Sequence, residues 1–293
     1  MVDDGTPGTK RGLIVRSCEH SMLFQARARR WQYNYGLGLT QFGHDEWHSD
    51  RACQGLRASF EFVPMVYSLG ALASAKKLVA HQNHNMRALS KHLLGMNEPR
   101  EGNANQSALA VASRWKEVEG IADRFHPPLL LGTPAPGGLE LGKGSRWLHD
   151  FFKHCGALHG KRGCRVDFVA VHFYECDGRN AAAAEASASA LGHFLDSTFR
   201  TFGRPIWLTE FNCGDGAAPQ PLANQSSQNH LRFLRAALPR LEAAQHVHKY
   251  SWFQAAQRHT AMHPGANPGC SLINANGSGL SELGQLYNSF ELP

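Results

Sequence analysis

The stretch VDFVAVHFY, Val166–Tyr174, decides the fold. Its apolar residues follow one another instead of alternating with polar ones, as in a strand of a parallel sheet covered on both faces. Upstream, Trp147, Leu148, Phe151, Phe152 and Cys155 recur at helical spacing within Ser145–Leu158. Downstream, an Ala-rich stretch from Ala181 carries Leu191, Phe194, Leu195 and Phe199 and stops at Gly203, with Pro205 beyond it. The local unit is therefore helix, strand, helix.

The same unit repeats in both directions. Further strand-like runs are Arg11–Arg16, Arg30–Tyr35, Phe60–Tyr67 (FEFVPMVY), Leu93–Asn97, Leu129–Thr133, Pro205–Glu210 and His248–Phe253. Helical spacing appears over Asn105–Phe125, with Asn105 or Ser107 as N-cap, and over Ser281–Phe290. Leu231, Leu234 and Leu238 face one way before Pro239 interrupts. The helices after the first three strands are weaker, and Gly43–Leu56 reads as loop. Strand then helix, about eight times with no break in composition, predicts an α/β fold, a single (β/α)8 TIM barrel with some helices short or replaced by loops. The expected organisation is a flexible N-terminal segment over 1–9 and one barrel domain over 10–293. A doubly wound open sheet would need a phosphate loop, and neither GxGxxG nor GxxxxGK[ST] follows the first strand.

Composition narrows the functional class. With 42% hydrophobic residues in 293, the chain is not intrinsically disordered. No run approaches ~18 consecutive apolar residues, so no membrane span is expected. Net charge is 30 − 24 = +6, and the densest basic run, Arg27, Arg29 and Arg30, is too short for a nucleic-acid groove. The seven cysteines, at 18, 53, 155, 164, 176, 213 and 270, form no CxxC pair. Cys155 and Cys164 flank a short loop and can bridge in an oxidising compartment or stay reduced in the cytosol. The first ten residues carry neither a basic nor an apolar leader region, so a secretory signal is either absent or trimmed.

In a barrel of this kind, reactive groups project from the C-terminal ends of strands. The fourth run ends LLGMNEP and the seventh ends IWLTEFN, each placing a lone carboxylate, Glu98 or Glu210, just past apolar residues. A single such Glu is commonly a helix-start charge or a loop residue. Two of them, on strands expected to lie across a barrel and with no cluster of metal ligands beside them, suit glycoside hydrolysis. His44 and His48 stand four apart, but Asp45 replaces the Glu a zinc protease motif requires, so they read as loop residues and no metal site is expected.

The strings KRGL (10–13), YNY (33–35), FVPM (62–65), LLGMNEP (93–99), VHFY (171–174), WLTEF (207–211) and YSWF (250–253) together resemble glycoside hydrolase family 128. The likeness runs from about residue 10 to the C-terminus, including GLS at 279–281 and LG…Y at 283–287. It implies a clan A (β/α)8 barrel acting on β-1,3-glucan with retention, Glu98 as acid/base and Glu210 as nucleophile. Their carboxyls should then stand ~5–5.5 Å apart, with the Glu98 pKa raised by burial and by the Glu210 charge. Asn97 would hydrogen-bond the sugar 2-hydroxyl. His172 and Tyr174 share a face near the end of the sixth strand, where the clan often places a residue beside the nucleophile. Tyr250 and Trp252 share a face on the eighth, and Trp252 is expected to floor the subsite at the cleaved bond. Asn34, Tyr35 and Tyr67 end strands two and three and are expected substrate contacts. One departure is that strand two ends Tyr-Asn-Tyr-Gly, with Tyr35 where a Trp often follows the Asn.

The loop from Gln254 to Asn274 is expected to wall one side of the cleft. No cofactor is implied. The expected partner is a β-1,3-glucan polysaccharide or oligosaccharide, met outside the cell by a monomer, with no nucleic acid and no membrane involved. The leading reading is an endo-β-1,3-glucanase acting on laminarin-like chains. The alternatives are exo cleavage, another clan A specificity such as β-1,4-glucan, or a β-1,3-glucan-binding protein that no longer turns over. A metal-dependent hydrolase is disfavoured, since few of the 17 histidines share a strand end.

Overall fold

The computed structural model describes residues 9–15, 18–24, 31–37, 60–77, 90–99, 106–137, 143–214, 225–256 and 268–292. Within them all eight expected strands form: β1 (Arg11–Ile14), β2 (Trp31–Tyr33), β3 (Glu61–Phe62), β4 (His92–Leu93), β5 (Leu130–Leu131), β6 (Val169–Phe173), β7 (Ile206–Phe211) and β8 (Val247–Trp252). The helices are α1 (Cys18–Met22), α2 (Ala108–Ala122), α3 (Lys143–His159), α4 (Ala181–Phe202), α5 (Ser227–Ala243) and α6 (Glu282–Ser289). Residues 72–77 are also helical. The segment containing His44, Asp45 and His48, most of the 254–274 loop, and residues 1–8 lie outside the described residues.

The chain divides into two compact units, Met1–Gln32 with Phe173–Pro293, and Tyr33–His172. In the first, the sheet order is β2-β1-β8-β7. β1 runs parallel to β8 with Arg11 opposite Tyr250 and Leu13 opposite Trp252. In the second unit, β4 runs parallel to β5, and parallel bridges join Met65 to Leu94, Gly132 to Phe168 and Asn97 to Ala135. Parallel neighbours require crossover connections, which the helices supply. A first strand paired with the last, and consecutive strands paired elsewhere, is the strand order of the (β/α)8 class and not of an open doubly wound sheet.

Local chemistry sets the helix ends. Ser107, Ser226 and Ser281 accept through their hydroxyls, and Asn180 through its amide oxygen, from backbone N–H groups three residues on, capping α2, α5, α6 and α4. α4 ends where Gly203 adopts φ 62°, a left-handed conformation that costs glycine little. Pro239 does not end its helix, contrary to the sequence reading: α5 continues to Ala243. An interior proline costs about 3 kcal/mol. Here the turn beyond it buries Leu241, and the Lys10 ammonium donates to the terminal carbonyls of Leu241, Glu242 and Ala244 at 3.2, 2.9 and 2.7 Å.

A second buried charge ties both chain ends to the first unit. Arg11 pairs with Glu242 at 3.1 Å and donates to the carbonyls of Tyr287 and Phe290, while the Tyr250 hydroxyl donates to the same Glu242 oxygen at 2.6 Å. Cys155 and Cys164 are bridged, with Cα atoms 5.2 Å apart, joining α3 to the start of the run into β6.

Candidate active site

In the second unit the chain leaving β4 is held on both sides. The Val66 N–H donates to Leu94 O at 3.0 Å, the Asn97 N–H to Tyr67 O at 3.0 Å, and the Glu98 N–H to Ala135 O at 2.9 Å. These bonds fix Glu98 at φ 39°, a region that costs a non-glycine residue on the order of 1–3 kcal/mol and that clusters at functional sites. Its carboxylate Oε1 lies 2.9 Å from Nδ1 of His172, whose side chain is almost wholly buried, while 29% of the Glu98 side chain stays exposed.

Burial raises the Glu98 pKa, but the hydrogen bond and charge of His172 outweigh it, and the net direction is downward. The sequence reading expected a raised value; the correction comes from a histidine that sequence spacing could not place against this carboxyl. Asn97, buried beside it, has a side-chain oxygen with no hydrogen-bond partner among the described residues. A buried acceptor without a donor is costly, so the position favours a ligand that supplies one.

Asn34, Tyr35 and Tyr67 come together in the same unit. The Asn34 side-chain oxygen accepts from the Gly36 N–H at 3.1 Å, shaping the turn after β2. Tyr35 sits at φ 66°, its ring edge-on to Tyr33 at 5.3 Å and to Tyr67 at 6.4 Å. Asn34 and Tyr35 are buried, and Tyr67 keeps part of its surface exposed.

In the first unit the corresponding group is built on β7. The register against β8 shifts between Leu208 and Phe211, inserting one extra residue around Thr209 and Glu210. Such an insertion re-aims side chains. Trp207 shares a side with Lys249, whose ammonium lies 5.2 Å from its ring, whereas Phe211 packs on Trp252 at 5.0 Å. Glu210 is buried, and the Tyr174 hydroxyl donates to its Oε2. Tyr174 stands edge-on to Phe253 at 5.8 Å. A disulfide between Cys176 and Cys213, Cα atoms 4.6 Å apart, joins the loops that follow Tyr174 and Glu210.

Trp252 does not occupy the expected position. It is wholly buried, its Nε1 donates to Cys270 O at 2.8 Å, and its ring meets Phe233 and His230 of α5. Tyr250 and Trp252 do share a face, but that face looks at the helices. The residue of this strand end that meets Tyr174 is Phe253, one position on. The expectation that Trp252 floors the subsite is thereby corrected: its ring faces the helix side. His230 was also missed: its Nδ1 accepts from the Cys213 N–H at 3.3 Å, and burial drives its pKa down to about 3, so it is neutral. The disulfide had one signal, a Cys two residues after Tyr174 and another three after Glu210.

Comparison with known proteins places these groups in context. A family model described as glycosyl hydrolase catalytic core matches residues 16–287. The crystal structure of a family 128 (subgroup II) endo-β-1,3-glucanase from Sorangium cellulosum superposes with a TM-score of 0.71 at 30% identity, covering 96% of this chain and 98% of that one. One from Pseudomonas viridiflava, of the same subgroup, gives a TM-score of 0.71 at 27% identity over 97% and 99% of the two chains. Alkali-sensitive linkage protein 1 of Schizosaccharomyces pombe is 28% identical over 97% of this chain, which spans 43% of that protein's length.

Proposed function

Because the chain belongs to glycoside hydrolase family 128, we propose that it is a retaining endo-β-1,3-glucanase, with Glu98 as acid/base and Glu210 as nucleophile. The observation that carries the reading is Glu210 itself, a buried carboxylate at the end of β7 that accepts the Tyr174 hydroxyl at one oxygen. An O–H donor on Oε2 steadies the carboxylate that attacks the anomeric carbon. Both relatives named above with crystal structures are described as endo-acting on β-1,3-glucan, which supports that bond and that mode here.

A double displacement requires two carboxyls ~5–5.5 Å apart, one as acid/base and one as nucleophile. The leaving oxygen takes its proton from Glu98. In the free protein His172 draws that carboxyl toward the ionised form; a sugar covering its exposed part adds to burial, the influence that raises its pKa and loads the proton. After the glycosyl-enzyme forms on Glu210, Glu98 takes the proton of the incoming water. Asn97 offers its unpartnered oxygen to the 2-hydroxyl, and Asn34, Tyr35 and Tyr67 line the approach from strands two and three. No cofactor enters the cycle. Among the described residues no helix is long and apolar enough to cross a membrane. An extracellular monomer suits a polymeric substrate and the two disulfides among the described residues.

Assays on laminarin and carboxymethyl-cellulose, with the product profile from laminarihexaose, test the reading. Internal cleavage of laminarin, abolished in Glu98→Ala and Glu210→Ala, is expected. Turnover of the cellulose derivative alone would refute the β-1,3 assignment, and glucose as sole product would refute the endo mode.

A further inference from the structure

Gly137 lies against the side chain of Glu98. A Cβ on Gly137 would stand 2.7 Å from the Glu98 Cδ and Oε1 and 2.9 Å from its Cγ. The glycine is not there for its backbone: it is absent from the glycines with positive φ, so an L residue could adopt the same main-chain conformation. What it supplies is room. The segment that carries it is stiff, since Pro134 and Pro136 each fix their φ. It is also anchored where it matters, because Ala135 accepts the Glu98 N–H and donates its own N–H to Met96 O, both at 2.9 Å. One short stretch thus holds the backbone of Glu98 at Ala135 and bounds its carboxyl at Gly137, with His172 Nδ1 2.9 Å away.

We propose that Gly137 is a positioning residue for the acid/base carboxyl, resting on the reading of Glu98 given above: its missing side chain sets where the Glu98 carboxyl stands against His172. A methyl there would need ordinary carbon contacts of ~3.5–4.0 Å. The stiff segment cannot retreat, so the flexible carboxyl moves, by roughly 1 Å. A misplacement of that size at a reacting group costs on the order of 100-fold.

The test compares Gly137→Ala with Glu98→Ala and the parent protein. On laminarin, Gly137→Ala should lower kcat on the order of 10- to 100-fold with KM little changed. On 2,4-dinitrophenyl β-laminaribioside, whose leaving group needs no proton, the first-turnover burst should stay near the parent rate, as it should for Glu98→Ala. By carboxyl 13C NMR, the Glu98 midpoint should move up in Gly137→Ala, because the carboxyl has receded from the histidine that lowers it. Parent-like kcat with an unmoved Glu98 midpoint would overturn the proposal, as would equal losses on both substrates. If Glu98→Ala keeps its laminarin activity, the acid/base reading fails instead, and the Glu98 midpoint in Gly137→Ala alone decides whether Gly137 places the carboxyl. Should Gly137→Ala fail to fold, the double variant Glu98→Ala/Gly137→Ala removes the clashing atoms. Folding of the double variant supports the proposal, and its failure to fold overturns it.

Discussion

Glu98 is pulled two ways: burial favours its neutral form and His172 its charged one, and His172 prevails. Replacing His172 with Leu removes the downward pull and leaves burial, so the Glu98 midpoint, followed by carboxyl 13C NMR, should move up; an unchanged or lower midpoint would show that His172 does not set it. Tyr174 makes a different kind of contact, donating to a carboxylate. Hydrogen bonds to charged groups contribute about 1.5–3 kcal/mol. Tyr174→Phe should therefore lower kcat/KM for laminarin on the order of 10- to 100-fold while the protein stays folded. At this scale the sequence was informative about which residues stand at strand ends and uninformative about pairings. Asn97–Glu98 and Glu210 follow apolar runs and could be picked out. That His172 meets Glu98, 74 positions away in the chain, depends on packing that no local pattern encodes.

Among the elements, α5 combines a misread and a missed residue. Its Leu periodicity was legible, but Pro239 was given more weight than tertiary burial allowed, since propensity is overridden where a buried face pays for the break. The same helix carries His230, which was legible only as one histidine among 17. Its folded pKa of about 3 against a usual 6.5 means that the unfolded chain binds the extra proton throughout that window. Stability is then fully present above about 6.5 and declines as pH falls toward 3. Thermal melts should show Tm dropping across this range, and His230→Gln should flatten that part of the profile. A slope that persists unchanged in the variant would assign it to other groups. β8 teaches the complementary lesson. Alternation identified that Tyr250 and Trp252 share a face, yet could not say which face looks at the helices, and the extra residue in β7 at Thr209–Glu210 leaves no mark in composition.

For the molecule as a whole, the strand order was legible because parallel strands covered on both faces read as apolar runs between helical ones. The links that tie distant parts of the chain were not. The Arg11–Glu242 pair spans 231 positions and is fully buried. Removing one partner of a buried pair costs about 3–5 kcal/mol, so Glu242→Ala should lower Tm sharply and free the C-terminal helix α6 for proteolysis; a melt within a degree or two of the parent would contradict the role assigned to it. Of the two disulfides among the described residues, Cys155–Cys164 was left open in the sequence between bridged and reduced, and Cys176–Cys213 emerged only with the fold.

The proposed double displacement passes through a sugar bonded to one carboxylate. Incubation with 2,4-dinitrophenyl 2-deoxy-2-fluoro-β-laminaribioside, followed by peptic digestion and mass spectrometry, reads that bond directly. The expected result is one laminaribiosyl adduct on the peptide that contains Glu210, absent from Glu210→Ala. An adduct on Glu98 or elsewhere, or an enzyme that turns over laminarin and never traps the label, would contradict it.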